Sequence, residues 1–174
     1  MANLTYQFSG DSFPDVTRSY AGIVVSNLKN NPPNSTRMVI NSNTFNVSDS
    51  FDSNGGSKAI NMYFFGAIST VSTVITNNKF NLEDGTWGID IGDISNAHIS
   101  ANQFNGSGLG AVIVRASHDP VSGVTVTANQ GLSGFSSTNG YDIVFVRNTS
   151  ECIVGAGQGA SYFNKGTNNT ILPQ

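Results

Sequence analysis

The segment NLEDGTWGIDIGD, residues 81–93, contains four acidic residues and the only tryptophan of the chain. Hydrolysis of a glycosidic bond requires two carboxyl groups about 5 to 9.5 Å apart, depending on the stereochemical outcome. Asp90 lies within the apolar run GIDIGD and Asp93 follows that run, so their carboxyl groups could approach each other. Together with Glu83 in the preceding turn, they form the candidate catalytic set. The alternative is that these acids are solvated residues of turns.

Five short apolar segments share an alternating pattern: GIVVSN, AINMYF, GIDIGD, AVIVRA and IVFVRN. Successive side chains of a strand point to opposite faces, so each segment contributes an inward and an outward set. The predicted outward columns are Val24, Asn61, Asp90, Ile113 and Phe145, and Ser26, Tyr63, Gly92, Arg115 and Arg147. The predicted inward pairs, with the last two segments aligned through their arginines, are Ile23/Val25, Ile60/Met62, Ile89/Ile91, Val112/Val114 and Val144/Val146.

The outward side chains suit a sugar ligand. Aromatic rings pack on the C–H faces of sugars, amides and acids bond hydroxyl groups, and an arginine can hold a sugar carboxylate. The candidate substrate-binding residues are therefore Asn61, Tyr63, Trp87, Arg115 and Arg147. If cleavage proceeded by β-elimination, Arg115 could also stabilise the developing charge. Because arginine and aromatic residues are enriched at interfaces, the same columns could instead be buried between subunits.

The elements that position these residues belong to a repeat built on Asn-x-Phe. The copies are Asn43/Phe45, Asn78/Phe80 and Asn102/Phe104, with divergent copies at Asp11/Phe13 and Asn129/Gly131. An apolar residue precedes each Phe position by five residues, namely Phe8, Ile40, Ile75, Ile99 and Val126. The Phe positions are 32, 35, 24 and 27 residues apart. These steps are too long and uneven for hairpins with two-residue turns.

Repeats of this length that contain only strands and turns indicate a solenoid, in which successive coils stack as parallel strands about 4.8 Å apart. The motif asparagine is predicted at the turn between two strands, because asparagine tolerates left-handed backbone conformations. In a stack, Asn78, Asn102 and Asn129 can bond one another's amides as a ladder. The phenylalanine then turns into the core and forms an aromatic column.

The motifs VITNNKF, HISANQF and GIDIGDI resemble the right-handed parallel β-helix proteins of the pectate-lyase-like group, and the resemblance covers nearly the whole chain. The ending GAGQGASYFNKGTNNTILPQ resembles the last coils of such helices. The resemblance implies an all-β fold, a right-handed parallel β-helix of about five to six coils. It implies a single domain over residues 1–174, with the first coil in 1–30 and the last in 150–174. The group's N-terminal capping helix and many of its coils are missing from the sequence, so we expect a fragment or module of a larger protein.

The composition limits the classes of partner and cofactor that we expect. Only 11% of the residues are charged and the net charge is −3, so we expect no nucleic-acid partner. The apolar runs are too short to span a bilayer, and no membrane insertion is expected. The single cysteine, Cys152, excludes an internal disulfide and is predicted to be a core residue. His98 and His118 are isolated, and the sequence predicts no metal and no other cofactor.

Members of the pectate-lyase-like group include pectate and pectin lyases, polygalacturonases, alginate-modifying enzymes and bacteriophage tailspikes. With neither a secretion signal nor disulfides, the sequence looks most like the C-terminal part of a tailspike. That resemblance implies a homotrimer, on the virion tail or extracellular, that recognises and could also depolymerise a bacterial surface polysaccharide. The alternatives are a non-catalytic structural or adhesive trimeric shaft, and a secreted polysaccharide lyase or glycoside hydrolase.

Overall fold

The structure, a computed structural model, describes residues 4–9, 12–16, 21–27, 36–48, 56–64 and 71–174. The other residues of the predicted first coil, Asp11 among them, lie outside this part. In chain order the strands are β1 (Leu4–Ser9), β2 (Ser12–Val16), β3 (Ala21–Asn27), β4 (Thr36–Asn41), β5 (Thr44–Val47), β6 (Lys58–Phe64), β7 (Val71–Thr76), β8 (Lys79–Leu82), β9 (Trp87–Gly92), β10 (Ala97–Ser100), β11 (Gln103–Gly108), β12 (Gly110–Arg115), β13 (Val121–Ser122), β14 (Thr125–Thr127), β15 (Ser136–Ser137), β16 (Ile143–Phe145), β17 (Thr149–Ser150), β18 (Ile153–Val154), β19 (Tyr162–Asn164) and β20 (Thr170–Ile171). One turn of 3-10 helix covers Leu132–Gly134, and no helix in the described ranges could cross a membrane.

The strands form three large sheets and one two-stranded sheet, β13-β17. The first sheet has the order β1-β4-β7-β10-β14-β18-β20, the second β15-β11-β8-β5-β2, and the third β19-β16-β12-β9-β6-β3. All pairings between the described strands are parallel. The prediction of an all-β fold with parallel strands is confirmed, and the strand order is compatible with a parallel β-helix.

The first sheet aligns the apolar residues that precede each Asn-x-Phe motif. Their registered order is Phe8, Ile40, Ile75, Ile99 and Val126. The sheet then continues through Val154 and Ile171 in β18 and β20, two positions that the motif did not predict. These last strands lack the Asn-x-Phe signal because the second sheet ends at β15, before them.

The second sheet forms the predicted aromatic column. Phe13, Phe45, Phe80 and Phe104 are in register. The Phe45 and Phe80 rings stack with centroids 5.1 Å apart, and Phe80 and Phe104 stack at 4.8 Å. Phe135 closes the column with an edge contact to Phe104 at 6.4 Å. Phe45, Phe80, Phe104 and Phe135 are buried, and stacked pairs add about 0.5 to 1.5 kcal/mol beyond area burial.

The buried asparagines form the predicted ladder, which also includes Asn43 at one end. Each backbone N–H and each side-chain Nδ2 donates to the Oδ1 of the next asparagine at 3.0–3.1 Å, in the order Asn43, Asn78, Asn102 and Asn129. Gln158 ends the series, because its Oε1 accepts from both donors of Asn129 at 2.9 Å. Its own Nε2 donates to the carbonyls of Val126 and Gly155.

The turn geometry corrects one expectation. The left-handed residue is not the ladder asparagine but the residue before it, with φ between 54° and 59° at Ser42, Asn77, Ala101 and Ala128. An L-residue such as alanine rarely adopts this conformation. Strain of this kind persists where surrounding bonds determine the backbone, and here the asparagine ladder fixes the next residue on every strand.

The third sheet confirms the predicted columns over β3, β6, β9 and β12. Val24, Asn61, Asp90 and Ile113 are in register, as are Ser26, Tyr63, Gly92 and Arg115. The inward residues of β6, β9 and β12 are fully buried. The prediction for β16 is wrong by one residue: Ile143 pairs with Val112 and Val144 with Ile113. Phe145 therefore points into the core, and Arg147 follows the strand instead of standing opposite Arg115.

Candidate functional site

The outer face of the third sheet contains a row of three charged side chains centred on Asp90. Lys58 Nζ lies 2.8 Å from Asp90 Oδ2, and Arg115 Nε donates to Asp90 Oδ1 at 3.0 Å. The two cations belong to β6 and β12, the neighbours of β9 on either side. The Asp90 side chain is fully buried, whereas those of Lys58 and Arg115 are 20% and 33% exposed. We call Lys58, Asp90 and Arg115 the charged row; its formal charge is +1.

Two aromatic rings lie over glycines of the following strand. A Cβ atom at Gly92 would lie 2.4 Å from the Tyr63 ring, and one at Gly110 would lie 2.4 Å from the Trp87 ring. Glycine at these positions therefore permits the rings to lie against the sheet, beside the charged row. Trp87 is only 5% exposed, so it forms part of the wall and offers little surface to a ligand.

Tyr63 adjoins the charged row. Burial raises the pKa of its phenol above the ordinary value, and the nearby Asp90 carboxylate raises this pKa further. Arg115 and a hydrogen bond with Ser117 act in the opposite direction but do not cancel the effect. The phenol is consequently protonated at neutral pH and can donate a hydrogen bond.

Asp93 has a structural environment. Its backbone is left-handed, with φ 57°, at the end of β9. Its Oδ1 accepts from the backbone N–H groups of Ser117, His118 and Asp119 at 2.7, 3.0 and 3.3 Å. Its Oδ2 lies 3.1 Å from His118 Nδ1. The carboxylate thus holds the turn that follows β12, with both oxygens engaged.

Asn61 stands in register between Val24 and Asp90. Its Oδ1 atom is buried and accepts no hydrogen bond from the residues that the structure describes. A buried acceptor without a donor costs about 1 to 3 kcal/mol. This amide is therefore the least satisfied polar group beside the charged row.

Two predicted site residues lie apart from the charged row. Arg147 is exposed beyond the end of β16, and it does not continue the column of Arg115. Glu83 is exposed in the turn after β8, where it lines a groove on the outer face of the second sheet. The structure therefore brings together Asn61, Tyr63, Asp90 and Arg115, but not the complete predicted set.

The groove beside Glu83 contains residues that the sequence pattern had not marked as functional. Its volume is about 340 Å³, and its polar lining comes from Asn46, Ser48, Asn81, Glu83 and Asn105. We call it the asparagine groove. The signal in the sequence was the residue after the motif phenylalanine, which is asparagine in each of NTFN, NKFN and NQFN.

Cys152 and His98, which the sequence analysis also considered, both contact neighbouring residues of the fold. Cys152 is fully buried and its thiol contacts the Ser150 carbonyl, which confirms the prediction of a core residue; burial raises its pKa. His98 is exposed, and its Nδ1 lies 2.7 Å from Thr125 Oγ1. Within the described ranges, no group of three or more His, Cys, Asp and Glu side chains could hold a metal ion.

Comparisons of the chain with protein-family models, with curated proteins and with solved structures give no significant match.

Proposed function

We propose that this chain recognises a polysaccharide containing acidic sugars through the outer face of its third sheet. It would do so as a right-handed parallel β-helix in a bacteriophage tailspike or a similar extracellular surface protein. The charged row and the adjacent Tyr63 carry this proposal, since together they place two partly exposed cations and a phenol on one face.

Asp90 acts in this proposal as a positioning residue. Asp90 binds Lys58 with one oxygen and the Nε of Arg115 with the other. Within the described ranges, the four remaining N–H donors of this partly exposed guanidinium make no hydrogen bond to a side chain and are left for a ligand. A sugar carboxylate could accept two parallel hydrogen bonds from those donors. Lys58 and the Tyr63 hydroxyl would contact neighbouring oxygens. Because the charged row has a formal charge of +1, it favours an anionic over a neutral sugar.

The same contacts favour binding without cleavage by Asp90 and Asp93. Asp90 is held between two cations, and Asp93 is bonded to a turn. A general acid or base must reach the proton that it transfers. Neither carboxyl can do so without giving up its present partners.

The test is binding of the chain to an array of uronate-containing and neutral oligosaccharides. Removal of a hydrogen-bonded charge costs about 1.5 to 3 kcal/mol, so Arg115→Gln should weaken binding of the uronate oligosaccharides about tenfold to a hundredfold. Arg37→Gln is the matched control, because Arg37 is an exposed strand arginine in the first sheet. Unchanged uronate binding by Arg115→Gln, in a folded protein, would contradict the proposal.

A second candidate is a trimeric shaft without carbohydrate binding. Val24, which shares the outward column of Asn61 and Asp90, is 60% exposed, and an apolar residue at this position suits a subunit interface. The mass in solution, measured by light scattering, separates the candidates. A trimer that dissociates in Val24→Asp and binds no array component would favour the shaft.

A further inference from the structure

The asparagine groove is a second polar surface, on a different sheet from the charged row. Asn46, Asn81 and Asn105 belong to β5, β8 and β11 and are in register with one another. Their side chains therefore stand about 4.8 Å apart along the groove, the spacing of adjacent strands. Three such positions extend over roughly 10 Å, which is long enough for contact with more than one sugar ring.

The three amides are pre-arranged by hydrogen bonds to one another. Asn81 Nδ2 donates to Asn46 Oδ1 at 2.7 Å, and Asn105 Nδ2 donates to Asn81 Oδ1 at 3.1 Å. An amide has two N–H donors and an oxygen with two lone pairs. Asn81 thus uses one donor and one lone pair within this outer ladder, and within the described part of the chain one of each is left for a ligand.

The outer ladder is not required by the fold in the way that the buried ladder is. Asn78 and Asn102 satisfy buried backbone groups, whereas Asn46, Asn81 and Asn105 are half-buried side chains on the outer surface. Asparagine is depleted in strands, and β-branched residues would suit these outward positions better. Side-chain packing alone therefore does not explain asparagine at this position on three consecutive strands.

We propose that the asparagine groove binds a neutral carbohydrate through pairs of hydroxyl groups. A hydroxyl group both donates and accepts, which matches the free donor and acceptor of each amide. Glu83 at the rim can accept from a further hydroxyl group. Among the described residues that line the groove there is no Lys, Arg or His, and the Glu83 carboxylate would repel an anion, so phosphate and uronate ligands are disfavoured.

This site is independent of the one proposed on the third sheet. The two sites differ in sheet, residues and charge, and they should therefore select different sugars. Substitutions can separate them: Asn81→Val should affect neutral ligands only, and Arg115→Gln should affect acidic ligands only.

The experiment uses the full chain and the same array of neutral and uronate-containing oligosaccharides. Loss of two neutral hydrogen bonds predicts that Asn81→Val weakens binding of neutral oligosaccharides by about tenfold or more. Asn41→Val is the matched control, because Asn41 also accepts a bond from another asparagine, Asn77, but on the first sheet. It should bind neutral oligosaccharides as the unmodified chain does.

A second readout locates the ligand without any substitution. Titration with the best neutral oligosaccharide of the array should shift the side-chain amide NMR signals of Asn46, Asn81 and Asn105. The Asn41 signals should stay in place. The proposal would be overturned if the chain bound no neutral oligosaccharide, or if Asn81→Val bound them as well as the unmodified chain. It would also be overturned if the NMR shifts were confined to other residues. Failure of uronate binding alone would leave it standing.

Discussion

Replacement of Asn102 by alanine tests the buried ladder at its centre. The Asn102 side chain makes four hydrogen bonds: its Nδ2 donates to the Ile75 carbonyl and to Asn129 Oδ1, and its Oδ1 accepts from the N–H and Nδ2 of Asn78, all at 3.0 Å. Alanine removes all of them from a site that is fully closed to water.

The loss of stability depends on which hydrogen bonds the former partners of Asn102 retain. The buried N–H of Asn78 loses its acceptor, at about 1 to 3 kcal/mol, and the three other bonds contribute about 0.5 kcal/mol or more each. Asn78 Nδ2 keeps two carbonyl acceptors, and Asn129 Oδ1 keeps the Asn102 N–H, so these groups are only weakened. We expect the free energy of unfolding to fall by about 3 to 4 kcal/mol.

Urea unfolding measures this change, with the fluorescence of Trp87 as the signal because this single tryptophan is buried. With a slope of about 2 kcal/mol per molar urea, the midpoint should fall by about 1.5 to 2 M. Circular dichroism must give the same transition for two-state fitting to apply.

Asn105→Ala provides the matched control, since Asn105 lies in β11, three residues after Asn102, and its amide is half-buried on the outer surface. Water can replace its bonds, and the expected loss is below about 1 kcal/mol. Equal midpoints for the two variants, or a loss below about 1 kcal/mol for Asn102→Ala, would refute the reasoning that the ladder satisfies buried groups.

Two further predictions concern the aromatic residues. Phe80→Leu removes a fully buried ring stacked on both sides, so the free energy of unfolding should fall by about 2 to 3 kcal/mol in the same urea assay; a loss below about 0.5 kcal/mol would count against the column as a stabilising feature. Tyr63 has a raised pKa in the folded chain, so the folded state holds its proton more tightly and stability should fall as pH rises above about 10, the ordinary tyrosine pKa. Absorbance titration at alkaline pH, as the difference between the unmodified chain and Tyr63→Phe, should show this ionisation above the ordinary value, and ionisation at or below that value would contradict the burial argument.

The sequence predicted strand register correctly where buried residue types allow few other alignments. A buried amide and a buried ring recur at fixed spacing, so the register of Asn78 with Asn102 and of Phe80 with Phe104 could be read from the motif alone. The same holds for the outward position of Asp90. Its pairing with Lys58 could not be predicted, because Lys58 precedes the alternating part of its segment.

Two predictions were wrong because the packing of large side chains, or the local backbone geometry, outweighed the sequence pattern on which they were based. Alignment of Arg147 with Arg115 placed Val144 and Val146 inward, but Ile143 and Phe145 occupy the core at that level. A surface arginine can move by one position at little cost, whereas a large buried ring cannot. The left-handed turn residue was also misplaced, since Ala101 and Ala128 have no intrinsic preference for that conformation and adopt it through their neighbours.

The buried ladder also bears on how such a chain can change its length. Asn78 and Asn102 each donate to the next asparagine and accept from the previous one, so a stretch that starts after one asparagine and ends at the next contains a complete set of ladder bonds. Tandem duplication of residues 79–102 would add a unit whose internal amides are all matched, while a partial duplication would strand some of them. Duplication of whole units should therefore disturb the fold least. The ladder ends at Gln158, whose longer side chain donates its Nε2 hydrogens to the carbonyls of Val126 and Gly155 instead of to a further asparagine.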